Sequence, residues 1–181
     1  MGYTHSLDRN NKKDHDQETW NMFIADCKKL YKNMPEHSLS AGGSFGDMPL
    51  LLNGCFKYKN AVFNKDMVYF NGSGTTERVR SGDHWVDALC DTPEHNNLGH
   101  ETFSIYRKNY GENACSFCKT ARKPYDLMVT ACLLLYKYYF NSASITTDGT
   151  EDDWSEAYKF IASVFGKSRA LELKFQDLKV S

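Results

Sequence analysis

The stretch Phe117-Cys118-Lys119-Thr120-Ala121-Arg122-Lys123-Pro124-Tyr125-Asp126 decides how this chain is read. It leads into the most apolar run of the sequence, Leu127 to Phe140. Pro124 has its φ pre-set for a first helical turn and lacks the N–H that would be orphaned there. The pattern therefore predicts a helix over about 122–140. Leu127, Met128, Val129, Ala131, Cys132, Leu133, Leu134, Leu135, Tyr138 and Tyr139 make it apolar on nearly every face, as expected of a helix buried in a core.

The start of that helix carries an electrostatic oddity. Unpaired N–H groups and the macrodipole make a helix N-terminus positive, which favours acidic residues there. Here Lys119, Arg122 and Lys123 crowd the start, opposed only by Asp126. A phosphate or carboxylate held by backbone N–H groups and these cations would remove the conflict. The plainer reading sends the cations into water, or pairs Asp126 with Arg122 four positions earlier.

The 181 residues suit one domain with a sizeable core. Net charge is −1, which excludes a broad nucleic-acid or anionic-membrane surface and makes any basic site local. No apolar run reaches transmembrane length, and no charged start precedes an apolar core, so neither a membrane span nor a secretory signal is expected. The six cysteines then read as thiols, with Cys27 and Cys132 as small core residues. Cys115 and Cys118 form a lone CxxC without a second ligand pair, so no metal is assigned. Met1-Gly2-Tyr3-Thr4-His5-Ser6 formally fits an N-terminal acylation pattern, against which the bulky Tyr3 weighs.

Outward from the helix, Tyr3 to Leu7 alternates as a strand, with Tyr3 and His5 on one face. Asp16 caps a helix over about 17–32, striped by Trp20, Phe23, Ile24, Cys27, Leu30 and Tyr31. Gly42-Gly43-Ser44-Phe45-Gly46 lacks the Gly-Lys-Ser/Thr ending of a phosphate loop and reads as a connection. Strands follow at 61–63 and 67–70, then a turn at Asn71 to Gly74. Residues 73–99 read as a long loop or insertion with one short helical turn near Trp85 to Cys90; Asp83, His84, Asp91, Glu94 and His95 lie in it. His100 to Tyr106 is the next strand, and Glu101 on its apolar face needs a partner, for which Lys119, Arg122 or Lys123 is in reach. Asn109-Tyr110-Gly111 turns, and Ser144 to Thr147 is a further strand. Asp152 or Asp153 caps a last helix that carries Trp154, Ala157, Tyr158, Ile161, Ala162 and Phe165 and stops at Gly166. The expected fold is α+β: a small, mostly antiparallel sheet with about three helices packed on it.

Met1-Gly2-Tyr3-Thr4-His5, Phe70-Asn71-Gly72, His100-Glu101-Thr102-Phe103, Phe117 to Asp126 and Asp148-Gly149 ahead of a Trp resemble, in order, the MGYTHYW-type family. Its members are uncharacterised proteins of tailed phages, large DNA viruses and bacteria. The chain departs at Ser6-Leu7, where the family has aromatics, and in its longer 73–99 stretch. The resemblance implies a viral or mobile-element origin and a host-cytoplasm setting, with no activity to transfer.

Three functions fit these residues. The first is a binding protein for a small phosphorylated ligand, a nucleotide or cyclic nucleotide signal, which a virus would sequester against host defence. Lys119, Thr120, Arg122 and Lys123 would meet phosphate, Tyr3 and Tyr125 would stack a base, and His5, Asn71, His100 and Glu101 would read its edge. The second is a hydrolase with His5 or His100 as acid or base and Glu101 assisting, although no nucleophile elbow, HExxH or Walker motif is present. The third is a protein-interaction inhibitor anchored by Trp85 in 73–99. No cofactor and no membrane partner is assigned, and a homo-oligomer is left open.

Overall fold

The computed structural model describes residues 3–10, 13–39, 41–42, 48–54, 60–73, 76–81, 84–89, 98–109, 115–167 and 179–180. Gly2 of the acylation pattern, Gly43 to Gly46, Asp83, Asp91, Glu94, His95 and the Tyr110-Gly111 turn lie outside the described residues.

The architecture is α+β. One sheet is built on β1 (Thr4–Asp8), which pairs antiparallel with β8 (Cys115–Lys119) on one side and β9 (Ser144–Thr147) on the other. Beyond β9, β10 (Lys179–Val180) runs parallel to it. A second sheet is built on β4 (Met67–Gly72), antiparallel to β2 (Leu52–Asn53), β3 (Val62–Phe63) and β7 (Phe103–Tyr106). Three helices complete it: α1 (Gln17–Lys32), α2 (Asp126–Tyr139) and α3 (Glu151–Phe165). No helix among the described residues is long and apolar enough to cross a membrane.

Each helix forms for a local reason. Asp16 takes the Thr19 N–H at 2.8 Å and caps α1, whose stripe of Trp20, Phe23, Ile24, Cys27 and Leu30 is buried. Thr150, two or three residues ahead of the expected Asp152 or Asp153, is the N-cap of α3; Asp153 reaches back to accept the Thr150 N–H at 2.8 Å. On α2 every residue from Asp126 to Tyr136 is buried, and each large apolar side chain there contributes about 1.5–3 kcal/mol. That helix packs between α1 and α3 and against β9.

Two expectations need correction. Residues 76–81 and 84–89 are strands β5 (Thr76–Ser81) and β6 (His84–Leu89), paired as an antiparallel hairpin; Trp85 lies in an extended segment and not in a helical turn. The helix expected from residue 122 starts at Asp126. Ala121 and Arg122 have φ of +55° and +56°, outside the right-handed helical region, and Pro124 disfavours helical backbone at Lys123 before it.

β4 also fixes the segment ahead of β7. Asn71, fully buried, takes the His100 N–H at 3.1 Å on its Oδ1 and donates to the His100 carbonyl and to Thr102 Oγ1 at 3.1 Å each. Beside it, a Cβ on Gly72 would stand 2.1 Å from the Leu98 carbonyl oxygen, a backbone atom that cannot swing away. At the other end of the core, His15 stacks on Trp20 at 5.8 Å, touches Phe140 at 3.9 Å and hydrogen-bonds the Tyr136 hydroxyl. Burial, then the charges of Arg9 and Arg107, lower its pKa to about 4.

Gly72→Ala is expected to cost about 1–3 kcal/mol, read as a lower urea midpoint at unchanged slope. His15 is neutral in the folded chain but titrates near about 6.5 once unfolded. The unfolded state therefore binds the extra proton first, and stability falls as pH drops from about 6.5 towards 4. His15→Phe should flatten that part of the stability-pH curve.

Candidate functional site

The chemistry of the opening stretch is built from β1 upward. The alternation of β1 turns His5 and Leu7 inward and leaves Thr4, Ser6 and Asp8 on the other face. His5 is 2% exposed. Its Nε2 lies 2.8 Å from Asp126 Oδ1, and its Nδ1 lies 2.9 Å from Thr147 Oγ1. A carboxylate only accepts, so Nε2 carries the proton and donates to Asp126. Asp126 Oδ1 also receives the Thr120 hydroxyl at 2.6 Å, and Thr147 Oγ1 receives the Gly149 N–H at 2.9 Å. The rings of Tyr3 and Trp154 close on His5 edge to face, at 4.8 and 5.2 Å.

This network changes the meaning of the cation-rich stretch. Asp126, the first residue of α2, supplies the anion that a helix N-terminus favours. The cations are not in the helix. Lys119 ends β8, and its backbone N–H donates to Glu101 Oε2 at 2.7 Å. Arg122 forms a forked pair with Asp153, with Nη2 to Oδ2 at 3.3 Å and Nη1 to Oδ1 closer, while its guanidinium lies 4.0 Å over the Tyr3 ring. Lys123 is buried and donates to the Gly99 carbonyl at 2.6 Å. Burial pulls the Lys123 pKa down, the Asp153 bond holds Arg122 up, and Arg122 holds Asp153 below the usual carboxylate range.

The expected ligand contacts thus divide. Thr120, Tyr125 and Asn71 are fully buried and bonded inside the protein; Tyr125 donates to the Glu101 carbonyl at 2.8 Å and has no face free to stack a base. His5 is sealed between Asp126 and Thr147. Tyr3 keeps one ring face under Arg122, and burial, with Asp126 and Asp153 nearby, raises its pKa. Glu101 meets the backbone N–H of Lys119 in place of a cationic side chain, and it precedes β7, which starts at Phe103. His100 is exposed and held through its backbone by Asn71. Lys119, Glu101, His100 and Arg122 are therefore the members of the set that reach the surface, Arg122 with 40% of its side chain accessible.

The residues missed in the sequence are Thr147, Asp153, Gly149 and Gly42. A Cβ on Gly149 would meet Tyr3 Oη at 2.2 Å, and Gly42 donates its N–H to the Arg122 carbonyl at 2.8 Å. The capping box Thr150-x-x-Asp153 is the local signal for Asp153. Cys118 is buried, which pushes its thiol well up and makes the CxxC unreactive at this end. Among the described residues no group of three or more His, Cys, Asp or Glu could hold a metal ion.

Asp126→Ala leaves a buried imidazole N–H and a buried hydroxyl without their acceptor. It is expected to cost about 3 kcal/mol in chemical denaturation, and the double variant with His5→Leu should lose clearly less than the sum of the two singles. No protein-family model, no curated protein and no solved structure matches this chain, so the likeness to the MGYTHYW-type family rests on the quoted motifs alone.

Proposed function

We propose that the chain binds a small phosphorylated ligand, of nucleotide or cyclic-nucleotide type, at the Lys119–Lys123 turn, and holds it without converting it. The observation that carries this reading is the pair of left-handed non-glycine residues, Ala121 and Arg122, that sets the Arg122 guanidinium over Tyr3 at the surface. Left-handed backbone costs roughly 1–2 kcal/mol per residue, and such strain is held where a side chain must be aimed. The partner of Arg122 supports the same reading. Its pair with Asp153 is partly exposed, and ion pairs of that kind contribute only about 0–1 kcal/mol, so a phosphate can displace the carboxylate at little cost. Gly42 holds its backbone against this turn, and Lys119 supplies a second cation from the same segment.

Catalysis is less well supported. Both ring nitrogens of His5 are occupied and its side chain is 0% exposed, so it cannot exchange a proton with a substrate in this arrangement. In the binding reading, a virus carrying the protein would withdraw a defence signal from the host cytoplasm; that part rests on the family resemblance.

Calorimetry against nucleoside mono-, di- and triphosphates and cyclic dinucleotides should find one class that binds and is recovered intact. Arg122→Ala should weaken it at least tenfold, and Asp153→Asn should strengthen it by releasing the guanidinium. Absence of heat across the panel sinks the proposal, and recovery of a cleaved ligand converts it to the hydrolase.

A further inference from the structure

A second arginine cluster sits at the opposite end of α2 from Arg122. Asp126 and Tyr136 are separated by ten residues of helix, about 15 Å of rise. At the far end, Arg9 follows β1, Arg107 follows β7 and His15 precedes α1. Their backbones are laced together: His15 N–H donates to the Arg107 carbonyl at 3.0 Å, and Arg107 Nη1 donates to the His15 carbonyl at 3.1 Å.

Arg9 is only 5% exposed. Its guanidinium donates to the carbonyls of Tyr106 at 3.3 Å, Lys13 at 2.7 Å and Arg107 at 3.1 Å. Carbonyl oxygens satisfy N–H groups but do not neutralise the charge. Neither Arg9 nor Arg107 meets a carboxylate among the described residues, and the Nε–H of each is buried with no acceptor. Asp14, the acid of this corner, has Oδ1 on the Asn109 N–H at 2.9 Å. A guanidinium cannot shed its proton to escape burial, so two positive charges with unused donors act on His15.

We propose that Arg9 and Arg107 form an anion site for a phosphoryl group. Two guanidinium groups match a dianion better than a single carboxylate, and the planar fork of each suits phosphate oxygens. Arg107 is half-buried and offers the approach; Arg9, locked by three carbonyls, is the fixed wall. The site is independent of the Arg122 turn and does not need that reading.

The test titrates inorganic phosphate into the full chain at constant ionic strength set with chloride, followed by calorimetry and by the NMR titration of His15. Saturable binding is expected on an Arg122→Ala background, which removes the turn from the measurement; it should be weakened at least tenfold by adding Arg107→Gln, partly restored by Arg107→Lys in its place and within twofold of that background when the exposed Lys159→Gln is added. Bound phosphate should also move the His15 midpoint upward from about 4, because it offsets the charges of Arg9 and Arg107 that, with Asp14, face the ring. A parallel titration with glucose 6-phosphate identifies the source: tighter binding of the ester points to a phosphorylated metabolite, equal or weaker binding to free phosphate. No saturable binding to the folded chain, an unchanged His15 midpoint at saturating phosphate, or equal affinity in a folded Arg107→Gln variant overturns the site.

Discussion

The carboxylate of Asp126 at the head of α2 is the constraint from which the rest of the structure is arranged. It sits where a helix N-terminus is positive, so its burial is offset before any side chain reaches it. It then accepts a hydrogen bond from His5 at 2.8 Å and another from Thr120 at 2.6 Å. Through His5 it holds β1, and through Thr120 it holds the connection from β8. The second imidazole nitrogen passes the constraint to Thr147 of β9, and the Gly149 N–H on that hydroxyl passes it to the start of α3. One buried acid thereby sets the relative position of two sheet neighbours and two helices. A hydrocarbon in its place could pack but could not fix direction in this way.

The turn between β8 and α2 follows from that anchor. Thr120 must face Asp126 while the Thr120 and Ala121 N–H groups stay on the Tyr3 carbonyl, at 2.9 and 3.3 Å. The chain then has three residues, Ala121 to Lys123, in which to reverse before Pro124, and the first two do so through left-handed backbone. The reversal aims Arg122 away from the helix and across Tyr3 towards Asp153. A helical Arg122 would have projected from the first turn of α2 instead. The same local geometry therefore removes the electrostatic conflict read from the sequence and creates an exposed guanidinium on a fixed platform.

What was legible in the sequence was what the chain encodes locally. The 3.6-residue stripe of Trp20, Phe23, Ile24, Cys27 and Leu30 gives α1, and the unbroken apolar run from Leu127 gives a buried α2. The alternation from Tyr3 to Leu7 gives β1 with His5 inward. The start of α2 was not legible, because left-handed backbone is signalled by glycine or asparagine, and here alanine and arginine adopt it under tertiary constraint. The hairpin of β5 and β6 was hidden for a different reason: Thr76–Ser81 contains a single apolar residue, Val79, and offers no face to count. The partners of the site were hidden by distance. Arg122 finds Asp153 31 positions away, Lys123 finds Gly99 24 away, and Glu101 binds a backbone N–H that no side-chain pattern announces.

The two arginine sites differ in how their charge is answered, and this sets what each can do. Arg122 has a carboxylate partner at a surface where water screens both. An anion arriving at Arg122, as proposed, would have to compete with Asp153. Arg9 and Arg107 have carbonyl partners only, and Arg9 is buried where screening is weak. An anion there, as proposed, would displace no ion pair among the described residues, with Asp14 as the opposing charge nearby. The overall charge of −1 conceals this contrast, because it sums over the whole chain. The field that a ligand meets is local, and at the far end of α2 the acid of the corner, Asp14, is held on a backbone N–H and pairs with neither guanidinium among the described residues.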